Sequence, residues 1–518
     1  MKLTPLQNDR AAGVLVALAA GDALGAGYEF GAPLPDGAEV TMKGGGPFGF
    51  APAEWTDDTS MAIPIAQALL EAASDAGSSS PAALTMIVRA WTAWAADAKD
   101  VGAQTSAVIA AARRLASGAG RSKVSAADFR AAAADFQART GRSAGNGSLM
   151  RTAPLALAYL DRDPAELMAR AGVLSALTHA DADAQEACGL WCVAIRAAVL
   201  TGRLDVRAGL SLLSPERAAV WLERIEVAER SRPRDFAHNG WVVEALQGAW
   251  SAIHVAGLSL AGPAHLRAAL EEAVRGGRDT DTVAAIAGGL LGAAYGYTAV
   301  PFEWRRRLHG WPGLRVRDLM MLGMELGRGE GRRPTSWPRA ERQDYSRWGR
   351  TDALVQHPHD AGVWLGGVGS LGRVAELGID AVVSLCRLGT SDVPDVAPDD
   401  HATFWILDSP FETDNAHAAF VLRDAAAAVE RFRAEGKSVL LHCVRAESRT
   451  PTMAALYGSQ AAGITPLEAL KDLRRVLPGA NPNPLFLRLL GAVPADRVNS
   501  VTPATYSAFT SLNSPNGG

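Results

Sequence analysis

Hydrophobic positions in the first 328 residues recur at helical spacing, and no strand-like alternation of apolar and polar residues is sustained there. Pro and Gly separate one apolar segment from the next, which predicts a domain of α-helices. Residues 283–300 form an uncharged stretch of 18 residues in which Gly288, Gly292 and Gly296 fall four apart. We interpret this stretch as a buried helix whose glycine face admits another helix, because it is short and weakly hydrophobic for a membrane span.

The pattern changes after Arg328–Arg350, a segment rich in Arg, Pro and Gly that is typical of a linker. Short runs of β-branched and aliphatic residues then alternate with helical patterns. This alternation predicts a mostly parallel sheet covered by helices. The expected strands are 363–366, 381–386, 403–407 and 438–442, and the expected helices are 371–377, 416–435 and 449–462.

These patterns predict a multidomain chain with an all-α N-terminal domain and an α/β C-terminal domain. Abundant alanine in the first part favours helices as well. The expected boundaries are residues 1–330 for the first domain, 331–352 for the linker, 353–496 for the second domain and 497–518 for a polar, disordered tail.

Charge and cysteine content narrow the class of protein. Lys and Arg total 51 against 55 Asp and Glu, so the net charge of −4 gives no electrostatic case for binding nucleic acid or a membrane surface. The four cysteines are too few for a disulfide framework, which favours a reducing compartment. Because the first residues also lack a signal-peptide pattern, we expect a cytoplasmic protein.

Two acidic motifs, WTDDTSMA and GGRDTDTVAAIAGG, each precede an apolar helical run. One interpretation is helix capping, since Asp and Thr are favoured at helix N-termini. Two such clusters of adjacent carboxylates and hydroxyls also supply the oxygen ligands that hard divalent cations need. The His and Cys residues of this part have no zinc spacing and no Ca²⁺-type loop is present, so Mg²⁺ is favoured, with Mn²⁺ as a substitute.

The first domain resembles the ADP-ribosylglycohydrolases, which include the enzyme that reactivates dinitrogenase reductase. Five motifs appear in the order of that family, and together they are far more specific than any one alone. They are GDALGAGYEF (Gly21–Phe30), WTDDTSMA (Trp55–Ala62), GNGSLMRTAPLAL (Gly145–Leu157), THADADAQEA (Thr178–Ala187) and GGRDTDTVAAIAGGLLGA (Gly276–Ala293).

The resemblance implies an all-α fold with a binuclear Mg²⁺ site that hydrolyses the N- or O-glycosidic bond of ADP-ribosylated proteins or small molecules. Glu29 is expected beside the metals as an additional ligand or gate, and Glu29 and Asp58 are the carboxylates expected to serve the chemistry. Which carboxylate accepts the proton of the attacking water stays open. The metal ligands carried over from the family are Thr56, Asp57, Asp58, Asp279, Asp281 and Thr282.

The resemblance further implies that a short loop cradles the diphosphate of ADP-ribose and that His179 contacts the substrate. Glycines suit such a loop, because backbone N–H groups reach a phosphate only where side chains are absent. Without the motif, His179 would be an ordinary core or capping histidine. The loop residues are Gly145, Asn146, Gly147, Ser148 and Leu149, of which Asn146 and Ser148 are expected to add hydrogen-bond donors.

In the second part, SVLLHCVRAESRTP predicts a strand, a tight loop and a helix start, with five residues between Cys443 and Arg449. A loop of this length can wrap one phosphate with backbone N–H groups and stabilise a thiolate at Cys443. Arg449 can bind two phosphoryl oxygens, and Thr450 can donate to the sulfur when an intermediate breaks down. The alternative is a buried cysteine with an arginine nearby by chance. The backbone of the loop is supplied by Val444, Arg445, Ala446, Glu447 and Ser448.

Residues 355–495 resemble the cysteine-dependent dual-specificity phosphatases. The resemblance implies a general acid about thirty residues before the cysteine, for which we choose Asp408, 35 residues upstream, over Asp414, 29 upstream. Two departures put a phosphotyrosine substrate in doubt. Ala446 stands where the family favours Gly, and Glu447 would repel a phosphate if it pointed inward. His442 is expected to position the loop.

We therefore expect a bifunctional hydrolase that acts on ADP-ribosylated and on phosphorylated substrates. The alternative is an ADP-ribose-binding or structural first domain attached to a phosphatase that is the principal activity. Intact acidic clusters argue against that alternative, because a scaffold has no need to gather so much negative charge without a metal.

Overall fold

The computed structural model describes residues 2–72, 81–329, 337–349, 351–393 and 395–492, so the predicted tail at 497–518 lies outside the described residues. The chain divides into two compact units. The first comprises Met1–Val300 and Arg307–Arg332, and the second comprises Pro301–Arg306 and Arg333–Gly518.

The first unit is helical, which confirms the prediction for the N-terminal domain. Its described residues contain only one short antiparallel strand pair, β1 (His309–Gly310) and β2 (Leu314–Arg315). Its helices are α1 (Pro5–Gly25), α2 (Asp57–Ala72), α3 (Pro81–Trp94), α4 (Ala103–Gly118), α5 (Ala126–Thr140), α6 (Ala153–Ala158), α7 (Pro164–Ser175), α8 (Ala182–Thr201), α9 (Pro215–Arg230), α10 (Val242–Gly257), α11 (Gly262–Arg275), α12 (Thr280–Tyr295) and α14 (Val316–Arg328).

The core of this unit is the close pairing of α1 with α12. A β-carbon at Gly21 would lie 2.1 Å from the carbonyl oxygen of Ala284, and one at Gly288 would lie 2.1 Å from that of Ala17. Only glycine permits this approach, which confirms the glycine face predicted for residues 283–300. The pairing matters for function because it brings polar residues of two buried helices together.

One segment of the first unit, Pro5–Tyr28, is long and apolar enough to cross a membrane by length and composition. Its apolar window is 89% buried within the fold. Core helices pass the same test of length and composition, so the burial of α1 accounts for its hydropathy.

The second unit is α/β, as predicted. Its five-stranded sheet has the order β3-β4-β7-β5-β6, in which β3 is antiparallel to β4 and the other neighbours are parallel. The elements are α13 (Phe302–Arg305), β3 (Leu354–His357), β4 (Asp360–Gly366), β5 (Ala381–Ser384), β6 (His401–Thr403), α15 (Ala418–Ala434), β7 (Val439–His442), α16 (Arg449–Ala462), α17 (Pro466–Val476) and α18 (Pro484–Gly491).

Two predicted elements differ from the structure. The strand expected at 403–407 ends at Thr403, because the backbone N–H and carbonyl of Leu407 are hydrogen bonded to the side chain of Asn415 instead of to a strand. The helix expected at 371–377 is a 3-10 helix over Val368–Arg373. The two segments follow the ends of β4 and β6, at the same end of the sheet where β7 ends.

Two segments belong to the second unit although the sequence predicted otherwise: residues 301–306 were expected in the first domain, and residues 337–349 were expected in the linker. The ring of Phe302 packs 5.7 Å from that of Phe404 and 5.8 Å from that of Phe432, so this segment belongs to the core of the second unit. The expected linker is partly folded, since Tyr345 donates a hydrogen bond to the carbonyl of Arg387 and Trp337 packs on Trp405. Aromatic side chains within these segments account for the difference.

Candidate active sites

An acidic cluster forms where α1, α2 and α12 meet. One oxygen each from Asp22, Asp58 and Asp281 lies within 4.8 Å of the others, and all three side chains are buried. Asp22 belongs to α1, Asp58 to the first turn of α2, and Asp281 to the first turn of α12. The hydroxyl of Thr56 lies 3.1 Å from Asp58 Oδ2 and 3.4 Å from Asp281 Oδ2, between the two motifs.

Asp22, which was not singled out from the sequence, organises the start of α2. Its Oδ1 accepts hydrogen bonds from the backbone N–H of Thr56 and from its hydroxyl, both at 2.8 Å. Its Oδ2 accepts from the N–H of Thr59 at 3.0 Å and from its hydroxyl at 2.6 Å. Four donors occupy the capacity of this carboxylate, so Asp22 fixes the acidic motif at the start of α2. The available signal was a carboxylate in the apolar second half of α1, within the motif GDALGAGYEF.

Three carboxylate oxygens, two in the cluster and one on nearby Glu29, lie buried without a hydrogen-bond partner among the described residues: Asp58 Oδ1, Asp281 Oδ1 and Glu29 Oε2. Burial, followed by neighbouring carboxylates, raises the pKa of Asp58 and of Asp281 well above the usual range. Burial and then Asp279 raise the pKa of Glu29 to about 9. Buried anions without partners are costly unless a cation neutralises them, so this donor set fits a hard divalent cation.

The remaining expected ligands surround this centre. Asp57 is buried, and its pKa is raised well above the usual range by burial and then by Asp100. Asp100 has a pKa of about 6 for the same primary reason and was missed from the sequence, because it stands outside every quoted motif. Asp279 precedes α12 as its N-cap, and Thr282, in the first turn of that helix, is also buried. All six expected ligands therefore lie in or beside one acidic region.

The loop at residues 145–149 lies next to this region. The side chain of Asn146 is not the free donor that was expected from the sequence. Its side-chain amide donates to Asp279 Oδ2 at 2.7 Å and to the carbonyl of Asn239 at 3.0 Å. Both amide hydrogens are thus used within the protein, and Asn146 orients Asp279 instead of serving as a free donor. The hydroxyl of Ser148 is fully buried and accepts from Ser175 at 2.9 Å. Leu149 is buried as well, and the backbone N–H groups of Asn146 and Leu149 donate to the carbonyls of Gly240 and Asn146 at 3.1 Å and 2.9 Å.

His179 is buried beside the same loop. A β-carbon at Gly145 would lie 3.2 Å from His179 Nε2, and one at Gly147 would lie 3.3 Å from that atom. Burial, and then the charge of Arg151, lower the pKa of His179 well below its usual range. His179 is therefore a neutral ring that lies against the loop glycines.

A second site forms in the α/β unit, where β7 ends and α16 begins. Cys443 follows β7 directly and is buried, and Thr450 lies in the first turn of α16 with its hydroxyl 3.5 Å from the carbonyl of Gly366. Arg449 donates through Nη1 to the carbonyl of Leu385 at 2.8 Å. Its Nε is buried without a partner among the described residues. A fixed guanidinium with a free donor suits an anion.

Asp408 is joined to this loop, whereas Asp414 bonds within its own segment. Asp408 Oδ1 accepts from the hydroxyl of Ser448 at 2.7 Å and from the side-chain amide of Asn483 at 2.9 Å. Asp414 accepts from the hydroxyl of Ser409 at 2.5 Å. Asn483, which precedes α18 as its N-cap and was not singled out from sequence, thus holds the preferred acid against the loop.

The two departures in the loop have local explanations. Ala446 has φ +58°, the left-handed region that glycine adopts at little cost, so alanine here is strained by about 1–2 kcal/mol. Glu447 turns outward and accepts a hydrogen bond from Arg445 at 2.7 Å, with both side chains about half exposed. The carboxylate of Glu447 is therefore not directed at the anion site.

A buried hydrogen-bond chain supports the strand before Cys443. His442 Nε2 lies 2.7 Å from the hydroxyl of Ser384, which also lies 2.9 Å from His401 Nε2. Burial lowers the pKa of His442 to about 4, so this ring is neutral at neutral pH. His442 thus ties β7 to β5, in agreement with the positioning role expected for it.

Comparisons with known proteins concern the first unit above all. Residues 3–333 match the family model described as ADP-ribosylglycohydrolase. The "ADP-ribosylarginine hydrolase Tri1" of Pseudomonas putida (strain GB-1) is 29% identical over 306 residues, which cover 58% of this chain and 75% of that protein. A solved "ADP-ribosylglycohydrolase-related protein complex" is 30% identical, with a TM-score of 0.47, over 62% of this chain and 98% of that one.

For the second unit, the solved structure of human DUSP28 is similar over 27% of this chain and 95% of its own, with 22% identity and a TM-score of 0.24. The family match covers more than half of the chain and includes every residue of the acidic cluster. The chain therefore belongs to the ADP-ribosylglycohydrolase family of hydrolases.

Proposed function

We propose that the first unit hydrolyses the bond between ADP-ribose and an arginine side chain, with Mg²⁺ as the cation and Mn²⁺ as a substitute. The observation that carries the proposal is the set of buried, unpartnered oxygens on Asp58, Asp281 and Glu29. The choice of arginine is supported by the name of the relative from Pseudomonas putida, an ADP-ribosylarginine hydrolase.

In this mechanism the cations would be held by the two acidic motifs, at Thr56, Asp57 and Asp58 on one side and Asp279, Asp281 and Thr282 on the other. When bound, they would supply a grip on the ribose hydroxyls and polarise the attacking water. The carboxylates favour the positive charge that develops on the ribose ring as the bond to the acceptor nitrogen breaks.

The protein's own groups complete the reaction. Backbone N–H groups of Gly145, Gly147 and Ser148 bind the diphosphate, while Asn146 keeps Asp279 in place. Glu29 or Asp58, ionised when the cations are bound, takes the proton of the water as its oxygen bonds to the ribose carbon, a contribution of about 10²–10⁴-fold in rate. The acceptor nitrogen leaves with its electron pair and takes up the proton that the carboxylate removed from the water.

The test is release of ADP-ribose from an ADP-ribosylarginine peptide, measured with EDTA and after Mg²⁺ or Mn²⁺ is restored. We expect EDTA, Asp58→Asn and Asp281→Asn each to reduce turnover by at least about 100-fold. Asp135→Asn, which alters an exposed ion pair with Arg139, is the matched control. Full turnover in EDTA would refute the proposal.

We further propose that the second unit hydrolyses phosphomonoesters through Cys443. The Cys443 sulfur bonds to phosphorus while the bond to the leaving oxygen breaks, and Asp408 gives that oxygen a proton. Water then attacks the phosphorus and gives a proton to the Asp408 carboxylate, the thiolate leaves and inorganic phosphate is released. The free, buried Nε of Arg449 and the link from Asp408 to Ser448 support this assignment.

A generic aryl phosphate tests the second activity. Cys443→Ser should abolish phosphate release, because a serine hydroxyl is a much poorer nucleophile than the cysteine sulfur. Cys192→Ser, a buried thiol in the first unit, is the control. Activity that survives Cys443→Ser would contradict the mechanism.

A cytoplasmic location is part of this proposal. All four cysteines are free: Cys188, Cys192, Cys386 and Cys443. A nucleophilic thiolate requires a reducing compartment to stay active. Fractionation of the source cells, followed by immunodetection, tests the location.

A further inference from the structure

Arg151 is a fully buried arginine beside the diphosphate loop, and the mechanism above gives it no role. Its guanidinium carbon lies 3.9 Å from the ring centre of Trp91, whose own indole N–H is fixed on the carbonyl of Met61 at 2.9 Å. Burial lowers the pKa of Arg151 to about 9, which leaves it charged at neutral pH. A buried charge is costly to hold, so the hydrogen-bond acceptors around the Arg151 guanidinium indicate what keeps it in place.

One of these acceptors is weak and the other is strong. Arg151 Nη1 lies 3.5 Å from the thioether sulfur of Met61, a weak acceptor, and Nε has no partner among the described residues. Arg151 Nη2 donates to Thr178 Oγ1. The hydroxyl of Thr178 is therefore the strong acceptor that fixes the guanidinium.

The same hydroxyl also reaches His179. Thr178 Oγ1 lies 2.7 Å from His179 Nδ1. Arginine is only a donor, so the hydroxyl hydrogen of Thr178 cannot point to it. His179 Nδ1 is the acceptor within reach of that hydrogen. If Nδ1 carried a proton, the buried hydroxyl hydrogen of Thr178 would lose this partner at a real cost.

The proton of the neutral His179 ring is consequently placed on Nε2. This atom faces the loop, where β-carbons at Gly145 and Gly147 would lie 3.2 Å and 3.3 Å away. A side chain at either glycine would crowd the ring edge. The absence of side chains there leaves the N–H of His179 open toward the loop.

We propose that Arg151 and Thr178 are positioning residues that hold His179 as its neutral Nε2–H tautomer, so that this N–H donates to a phosphate oxygen of ADP-ribose. The inference rests on the proposed function of the first unit. It gives a role to a charged arginine that is buried behind the loop. A neutral donor at His179 also adds no positive charge beside the cations of the acidic cluster.

The tautomer is measured by nitrogen NMR on the full chain labelled with ¹⁵N-histidine, with the His179 signals assigned by their loss in His179→Asn. We expect Nε2 to be protonated and Nδ1 to be bare at neutral pH. Thr178→Val should abolish this preference and weaken ADP-ribose binding by about tenfold or more. Thr178→Ser, which keeps the hydroxyl, should preserve both. Thr92→Val, which removes a hydroxyl bonded to its own helix at Val88, is the matched control.

Two results would overturn the positioning role of Arg151 and Thr178. One is a proton on Nδ1 in the unaltered protein, and the other is a Thr178→Val variant with unchanged tautomer and unchanged ADP-ribose affinity. If Thr178→Val does not fold, Arg151→Met supplies the same readout. Failure of the proposed function is distinguishable, because a protein that binds no ADP-ribose would still report the tautomer of His179. An Nε2–H tautomer in a protein that binds no ADP-ribose would refute ADP-ribose as the ligand and would retain the assignment of the His179 proton.

Discussion

Asp22 and Thr59 are joined by two hydrogen bonds to one oxygen: Asp22 Oδ2 accepts from the backbone N–H of Thr59 at 3.0 Å and from its hydroxyl at 2.6 Å. The other oxygen of Asp22 serves Thr56 in the same way. One carboxylate of α1 thereby orients the motif of α2 that carries Asp58. The geometry of the acidic cluster depends on a residue whose two oxygens are both engaged by donors.

Asp22→Asn should therefore damage the site indirectly. The amide nitrogen of asparagine cannot accept from the donors that Asp22 now satisfies, so we expect a loss of about 1–3 kcal/mol in the free energy of unfolding. Divalent-metal affinity should fall as well, because Thr56 and Asp58 lose their support. Urea unfolding and metal titration measure the two effects. An unchanged metal affinity would show that Asp22 has no positioning role.

Asp281→Asn should raise the melting temperature of the metal-free protein and should remove the stabilisation that Mg²⁺ gives. In metal-free protein it removes a buried charge that lacks a partner at Oδ1 among the described residues, so the melting temperature should rise. Saturating Mg²⁺ should stabilise the unaltered protein but not the variant, because stabilisation follows the binding equilibrium. Thermal melts in EDTA and in Mg²⁺ make the comparison. If Mg²⁺ raises the melting temperature of the variant as much as that of the unaltered protein, Asp281 is not a metal ligand.

The sequence predicted the helical and α/β parts because periodic apolar positions report burial directly. It located Asp58 and Asp281 because each stands in a polar motif at a helix start. Asp100 carries no such local signal, and its place beside Asp57 depends on how loops fold together. The end of β6 at Thr403 was equally hidden, since the bond from Asn415 to Leu407 joins residues eight apart through a side chain.

His442 should make the second unit sensitive to acid. Its folded pKa of about 4 lies below the ordinary value of 6.5, so the native state favours the neutral ring. The associated stability is fully present above pH 6.5 and is lost as the pH falls toward 4. The loss should reach about 2–3 kcal/mol. The test is the free energy of unfolding of the unaltered protein and of His442→Asn between pH 4.5 and 7.5. The difference between the two free energies should shrink as the pH falls.

Glu447→Gln should leave phosphatase activity almost unchanged. The carboxylate pairs with Arg445 on the exposed side of the loop, and exposed ion pairs contribute about 0–1 kcal/mol. We expect kcat/KM for an aryl phosphate to change by less than about threefold, which corresponds to under about 1 kcal/mol. A tenfold rise on removal of the charge would mean that Glu447 faces the anion site during turnover.

Asp408→Asn should slow hydrolysis in proportion to the basicity of the leaving group. Protonation of the departing oxygen matters most for alkyl and weakly acidic phenyl esters, and little for a nitrophenyl ester. Asp408 is held against the loop by Ser448 and Asn483, whereas Asp414 is bonded to Ser409, so Asp414→Asn is the matched control. The measurement is kcat across a series of aryl phosphates. A steeper dependence on leaving-group pKa in Asp414→Asn than in Asp408→Asn would reassign the general acid to Asp414.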